Sequence, residues 1–465
     1  MLKKIFGLQA LSQGVTVEGD LPDTKTVYRS FFNVAWPAAM EGLLLMMISS
    51  VDLAMVGHLG KESVAAVGIV SQPRMLLLCF VRSLAVAITA VVARRKGEGD
   101  HAQLNICLKQ GFALTLLISL TLFLISWTFL EQILLIAGAK KEYLDLAISY
   151  GRYNMIAIFF MGLAVGINAA HTGVGNTKII MFANVSGNII NMIFNFLLIY
   201  GVGPFSKMGV TGAGIATMIG SIVAFGITLF SVLGEDSLLS LRGKGGWIPE
   251  KKILHSYGKI GSSAFAEQIF ERIGMFSYSF MVAQLGTVAF AAHYICMSLC
   301  DIYYSFGLGM SRASSAISGQ KLGEKRKDLA YICSRAGRRG GAILDIIAFM
   351  VYFFGRHFLM SLFTEDPQVI ALGMDILLFV AVCCFIQTQS MVYAGVLRGA
   401  GDTAYVARYS FWDIAVFRPI FTYLLCFPLG LGIYGAWIAL ISDQSIRAFF
   451  ATKRFYSKKW MHIKI

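Results

Sequence analysis

Charged residues are the scarce class in this chain. Only 14% of its 465 residues are Asp, Glu, Lys or Arg, against 57% hydrophobic, and a water-soluble fold of that length cannot cover its surface with so few charges. The composition is that of an integral membrane protein. Proline is rare too, at 8 residues, and the apolar runs lack the period-two alternation of transmembrane strands, which excludes a β-barrel. Acidic residues number 26 against 40 basic, for a net charge of +14. The surplus sits in short clusters between apolar runs, not along a basic stripe interleaved with aromatics, so it reads as a topology signal and no nucleic-acid partner is expected.

Other chemistry is missing as well. The eight cysteines fall in or beside apolar runs without paired C-x-x-C spacing, and are expected as free thiols packed like small hydrophobes. The seven histidines are scattered without i, i+4 pairing, so no metal centre is expected. No Ser-His-Asp set or nucleophile elbow is present, and the Gly-x-Gly-Asn/Asp-Thr turns lack the Lys-Ser/Thr of a phosphate loop. Neither an enzyme nor a bound cofactor follows from these residues. Residues 1–30 hold Glu18, Asp20, Pro22 and Asp23 and no apolar stretch with a small-residue cleavage site, so no signal peptide is expected.

What is abundant is the long apolar run. About twelve such runs lie between residues 31 and 452, each long enough to cross a bilayer as a helix. The expected organisation is an N-terminal segment (1–30), six spans (31–233), a linker (234–252), six more spans (253–452) and a tail (453–465). With the N-terminus inside, about 28 Lys/Arg fall to inner segments and about 5 to outer loops, which puts both termini in the cytoplasm of a multi-pass cell-membrane protein. Leu2, Ile5, Phe6 and Leu8 beside Lys3 and Lys4 leave residues 1–11 open to two readings, a surface helix or a frayed tail.

The two groups of six spans repeat one another. Val56–Ile69 and Val282–Ile295 share Val, Leu-Gly, Ala-Ala and Ile at an offset of about 226 residues. That offset also pairs Gly97-Glu98 with Gly323-Glu324, Gly173-x-Gly175-Asn176-Thr177 with Gly399-x-Gly401-Asp402-Thr403, and Glu41 with Glu267. After a shift of about three residues, Gly209-x-x-Gly212-Ala213 matches Gly432-x-x-Gly435-Ala436. A register held over such distances is a tandem duplication. Six is even, so the halves are parallel repeats, an all-α architecture that in transporters binds substrate near the midplane and works by rocking one half against the other.

Acids inside spans are costly, about 2.5–3.5 kcal/mol each on insertion scales, and are functional candidates by default. Glu41 and Asp52 stand eleven residues apart on the first span, within about 20° of one helix face. Pro37, one turn before Glu41, gives that helix a place to bend. On the fifth span Asn184, Asn188, Asn191 and Asn195 form one polar stripe. By depth, Asn191 and Asn195 share a layer with Asp52 and with Thr217 of the sixth span, a set able to hold a small cation; glue between packed helices is the alternative for the asparagines. In the second half Glu267 and Glu271 share a face of the seventh span, with Arg272 adjacent and Tyr278 at the place of Asp52. They suit either a substrate cavity or ion pairs with Arg272, Arg82, Arg312 or Arg418. The many methionines read mostly as packing.

These spaced motifs, from Pro37 through Ser50-Val51-Asp52 and VGHLG, the GNTK run with Asn191 and Asn195, and Leu397-Arg398-Gly399-Ala400-Gly401-Asp402-Thr403, resemble the multidrug and toxic compound extrusion (MATE) family, bacterial type, over nearly the whole length. The resemblance implies a V-shaped pair of six-helix lobes exporting cationic, amphipathic drugs in exchange for protons or sodium ions, with no other cofactor, as a monomer in the lipid bilayer. It further implies that Asp52 binds the coupling cation, helped by Asn191, Asn195 and Thr217. Glu271 matches a seventh-span acid of the sodium-coupled branch, whose tenth-span Asp corresponds here to Gln387. Glu41, Glu267, Glu271, Gln387 and Arg272 are then the candidate substrate-cavity residues. A flippase for an anionic lipid-linked precursor is the competing expectation, resting on Arg74, Arg82, Arg272, Arg312 and Arg418 within spans; arginines left without carboxylates would favour it.

Overall fold

The computed structural model describes residues 6–234, 237–242 and 245–465, without the side chains at 49, 50, 53, 54 and 61. Leu2, Lys3, Lys4 and Ile5 of the amphipathic N-terminus, Lys244 of the linker and the Ser50 side chain therefore lie outside the described residues. Among the described residues there are no strands and twelve long helices. They are α1 Thr24–Gly57, α2 Lys61–Glu98, α3 His101–Thr128, α4 Lys141–Gly173, α5 Thr177–Tyr200, α6 Gly209–Phe230, α7 Lys251–Ala283, α8 Thr287–Gly323, α9 Lys327–Phe354, α10 Pro367–Gly399, α11 and α12 Gly432–Tyr456. α11 is composite: Thr403–Ser410, a π-helical turn over Phe411–Phe417, then Arg418–Cys426.

The chain is thus a twelve-helix membrane protein built from two repeats. Seven of the helices, α1 to α6 and α10, are long and apolar enough to cross a bilayer by composition alone. Charged residues run along α7, α8, α9 and α12, and the π turn breaks α11. By composition, then, the halves are unequal: among the described residues all six helices of the first half pass as apolar spans and one of the second does.

The duplication is visible in the backbone. Gly60 and Gly286, just before α2 and α8, have φ of 104° and 105°; Gly175 and Gly401, before α5 and α11, have 80° and 83°. Only glycine adopts such values without strain, which explains why these punctuation marks survive in both copies. Elsewhere local chemistry sets the ends. Asp100 caps α3 by accepting from the Gln103 amide at 2.9 Å, and Asp366 caps α10 by accepting from Gln368 at 2.8 Å with Pro367 in the first turn, the positions where each is favoured.

Two compact units emerge, Met40–Gly261 and Met1–Ala39 with Ser262–Ile465. In the first, Val56, Leu78, Leu130, Leu134, Tyr150 and Ile199 are among the buried core residues. Here the linker is no loose tether: Lys109 of α3 donates to the Gly245 carbonyl at 2.8 Å, Gln110 to the Ile248 carbonyl at 2.9 Å, and the Tyr257 hydroxyl to the Cys107 carbonyl at 2.7 Å.

In the second unit one core gathers Tyr278, Cys296, Met360, Cys384 and Trp437, and another gathers Leu11, Phe31, Tyr331, Tyr393 and Phe455. The described part of the N-terminal segment is docked here. Leu8–Ser12 is a short helix with Leu11 fully buried, and Arg335 donates to the Leu11 and Gln13 carbonyls at 3.1 and 2.6 Å. Further on, Asp328 accepts from the Glu18 amide at 3.1 Å while Arg326 reaches the Asp20 carbonyl at 3.0 Å. All eight cysteines are buried thiols outside any disulfide, as their apolar settings led us to expect.

Candidate functional site

The eleven-residue spacing between Glu41 and Asp52 on α1 recurs between Asn184 and Asn195 on α5, and the structure joins the two pairs. Asn184 donates its amide to Glu41 Oε1 at 2.6 Å, and Asn195 donates to Asp52 Oδ1 at 2.8 Å. Eleven residues are three helical turns, so both contacts fall on one seam about 16 Å long. Asn188, between them, turns its amide back to the Asn184 carbonyl at 2.8 Å and joins neither acid.

Around Asp52 the donors form a chain. Asn195 also reaches Asn191 Oδ1 at 3.4 Å, Asn191 donates to Thr217 Oγ1 at 3.4 Å, and the Thr217 hydroxyl donates to the Ala213 carbonyl at 2.9 Å. All four sequence-selected residues, Asp52, Asn191, Asn195 and Thr217, therefore meet in one cluster. The structure adds two from α4: Tyr150, close to Thr217, Asp52 and Arg74, and Asn154, which donates to the Tyr150 hydroxyl at 3.2 Å. The signal for both was available, a Tyr and an Asn one turn apart on the fourth span.

Supply and demand in this cluster do not balance. Asn191 and Asn195 are 6% and 2% exposed, and Asn195 Oδ1 accepts no hydrogen bond. A buried amide oxygen without a donor is costly. Together with the Asp52 carboxylate and the Asn191 and Thr217 oxygens it makes a group of hard oxygen acceptors suited to a proton or a small cation.

Glu41 is 3% exposed; its partner is the α5 amide. Pro37 lies inside α1 one turn earlier, and the division between the two compact units falls just past it, between Ala39 and Met40.

In the second half Glu267 pairs with Arg398 of α10. Arg398 Nε donates to Glu267 Oε2 at 3.3 Å, and Nη2 donates to Oε1. That partner replaces the arginines named from sequence: Arg418 pairs instead with Asp443, and Arg272 sits on the exposed flank of α7 beside Ile273 and Phe276. Sequence spacing cannot say which guanidinium crosses from a distant helix. Glu271, half-buried, lies near Tyr304 and Arg447. Gln387 is 5% exposed, and its Oε1 has no hydrogen-bond partner.

Three buried intramembrane acids went unread in the sequence although the cost argument applies to each: Asp345 on α9, Asp413 on α11 and Asp443 on α12. Asp345 is buried, bonded to the Tyr303 hydroxyl and to Arg338 at 3.1 Å; the Tyr303 and Thr388 hydroxyls bond to each other.

Comparison with known proteins gives a consistent picture. The model of the MatE family matches residues 37–197 and 264–424, one match per repeat. The uncharacterized transporter YisQ of Bacillus subtilis is 24% identical over 440 residues, covering 93% of this chain and 95% of its own. The multidrug resistance protein NorM of Vibrio parahaemolyticus is 26% identical over 452 residues, 93% and 95% of the two chains. A solved structure of a multidrug resistance MATE family transporter in an outward-facing conformation superposes with a TM-score of 0.86 at 20% identity, over 97% of this chain and 98% of that one.

Proposed function

This chain belongs to the MatE family, and on that premise we propose that it is a multidrug efflux antiporter of the cell membrane, exporting cationic amphipathic compounds in exchange for protons or sodium ions by alternating access. The observation that carries the reading is the Asp52 cluster: one acid, two amides and a hydroxyl converging inside an apolar bundle, with the Asn195 acceptor oxygen unsatisfied. Such a group of oxygen acceptors is suited to holding a small cation. Coupling needs only that cation and drug favour different states of the protein; the two need not share atoms.

The cycle then runs as follows. Facing outward, Asp52 takes a proton or sodium ion, α1 adjusts at Pro37, and drug is released. Facing inward, the cation leaves and a new cationic compound is drawn by Glu41, Glu267 and Glu271, with Gln387 and Arg272 as polar neighbours. Both termini are cytoplasmic in this scheme, and the chain acts as a transporter without covalent chemistry. Of the arginines on which the anionic-lipid flippase reading rests, Arg418 is matched by Asp443, which leaves that reading one positive charge fewer to attract an anion.

The test is uptake of a fluorescent cationic dye into inverted vesicles under a sodium gradient alone and then a proton gradient alone. Uptake under either supports drug export and identifies the ion. No uptake under both, in vesicles holding folded protein, refutes the reading.

A further inference from the structure

The second half carries an unusual crossing between α11 and α12. Over Phe411–Phe417 the backbone is π-helical, the Arg418 amide reaching back to the Asp413 carbonyl. A π turn absorbs one extra residue and is common where function requires it. The repeat shows the insertion directly. Gly212 packs on Leu198 and Gly435 on Leu425 with the same contacts, 2.8 Å to the carbonyl oxygen and 2.9 Å to Cβ for a methyl added at either glycine. These leucines are one residue further apart in sequence than Gly175 and Gly401, which open the two helices. Before the insertion Asp413 therefore stands at Gly187, and after it Arg418 stands at Asn191. On α12, Asp443 stands at Gly220 and Arg447 at Ala224.

In the first half those positions are a bare contact between helices. A methyl on Gly187 would meet the Gly220 carbonyl oxygen at 2.6 Å and the Ala224 Cβ at 2.8 Å. In the second half two carboxylates and two guanidiniums fill the same crossing. Arg418 donates to Asp443 Oδ2 through Nε at 2.9 Å and also through Nη2; Arg447 Nη2 reaches the same oxygen at 3.2 Å. Arg447 Nε stands 3.6 Å from Asp413 Oδ2, and the Asp413 side chain is 1% exposed. All hydrogen bonds thus fall on one oxygen of one acid. Asp443 Oδ1 and both Asp413 oxygens are buried without a hydrogen-bond partner. From α7, Met275 touches Arg418, and the Tyr278 hydroxyl, at the position of Asp52, is buried and unpartnered near Arg418. Glu271 and Tyr304 lie beyond Arg447.

We propose that Asp413 and Asp443 form a proton-binding site of the second half, with Asp413 as the group that takes up and releases the proton. With both acids ionised the four charges cancel, but Asp413 is a buried carboxylate that accepts no hydrogen bond, a costly state. A proton taken from water onto Asp413 lets its O–H donate to Asp443 Oδ1, so one proton satisfies an orphan on each residue. The cluster then carries one net positive charge, and release of the proton to water restores neutrality. The second copy, which has Tyr278 where the first has Asp52, thereby regains an ion-binding acid on a different pair of helices. The site binds its proton whatever the cargo, so its test is independent of the drug-export reading.

The experiment is infrared difference spectroscopy of the full-length protein in liposomes, grown with carboxyl-labelled aspartate and stepped between acid and alkaline pH. The wild type is expected to show isotope-shifted protonated-aspartate bands that bleach at alkaline pH, and Asp413→Asn is expected to lose one of them. Asp413→Glu keeps the carboxyl and so the fold, and is expected to move that band out of the isotope-shifted set. Full retention of the isotope-shifted bands in Asp413→Glu, or their absence from the wild type, overturns the proposal.

Discussion

Replacing Gly187 by alanine adds one methyl group where α5 packs directly on α6. The new Cβ would lie 2.6 Å from the Gly220 carbonyl oxygen and 2.8 Å from the Ala224 Cβ, both part of, or bonded directly to, helix backbone that cannot rotate away. Overpacking of this kind costs about 1–3 kcal/mol, while exchanging glycine for alanine in a helix returns about 1 kcal/mol. A net loss of up to about 2 kcal/mol follows. Relief by sliding α5 would pull Asn191 and Asn195 from Thr217 and Asp52, so dye export should fall further than the stability loss explains. Gly68, in α2 with nothing within 4 Å of an added methyl, is the control: Gly68→Ala should gain stability. Both are measured by heating detergent-solubilised protein and counting the folded fraction by size exclusion. Gly187→Ala as stable and active as Gly68→Ala would refute the reasoning.

Other outcomes follow from single contacts. The Arg326 guanidinium bonded to Asp328 holds that carboxyl below its ordinary range; a depressed value stabilises above the unfolded carboxyl pKa of about 4 and is lost as pH falls through the folded one. Hydrogen exchange at residues 14–20 should therefore be slow at neutral pH and accelerate in acid, and Asp328→Asn should show the fast behaviour at pH 7. Arg398→Ala leaves Glu267 without its partner and should lower stability by about 1–3 kcal/mol, with Glu267→Gln in the same chain recovering part of the loss; equal loss in the single and double variants would deny the pair. The eight buried thiols should resist maleimide in folded protein and react together on denaturation.

The twelve spans and the duplication could be read from sequence because both depend on properties that survive drift: apolar length and turn glycines. The Asp52 cluster was legible because counting residues from the outer ends of the spans puts Asp52, Asn191, Asn195 and Thr217 at one depth. The matching eleven-residue spacings on α1 and α5, which seat Glu41 on Asn184 as well, are visible only once the two helices are seen side by side. Glu267 was harder. Its acid is visible in the sequence, but the guanidinium opposite comes from α10, more than a hundred residues away, and helix periodicity carries no information about which distant face it meets. The Asp443 and Arg447 pair, one turn apart, reads from sequence as an ordinary i, i+4 ion pair; only the π turn that brings Asp413 and Arg418 to it makes it a cluster, and that inserted residue shows solely as a one-residue slip between the copies.

The most direct test of cation coupling at Asp52 is uphill dye export by Asp52→Asn in proteoliposomes with an imposed ion gradient, alongside wild type. Asp52→Asn keeps the size of the side chain and a possible contact with Asn195 but removes the negative charge. Wild type should accumulate dye against its gradient while the variant, folded and still binding dye, only equilibrates it. Full uphill accumulation by the variant would contradict the assignment of ion coupling to Asp52.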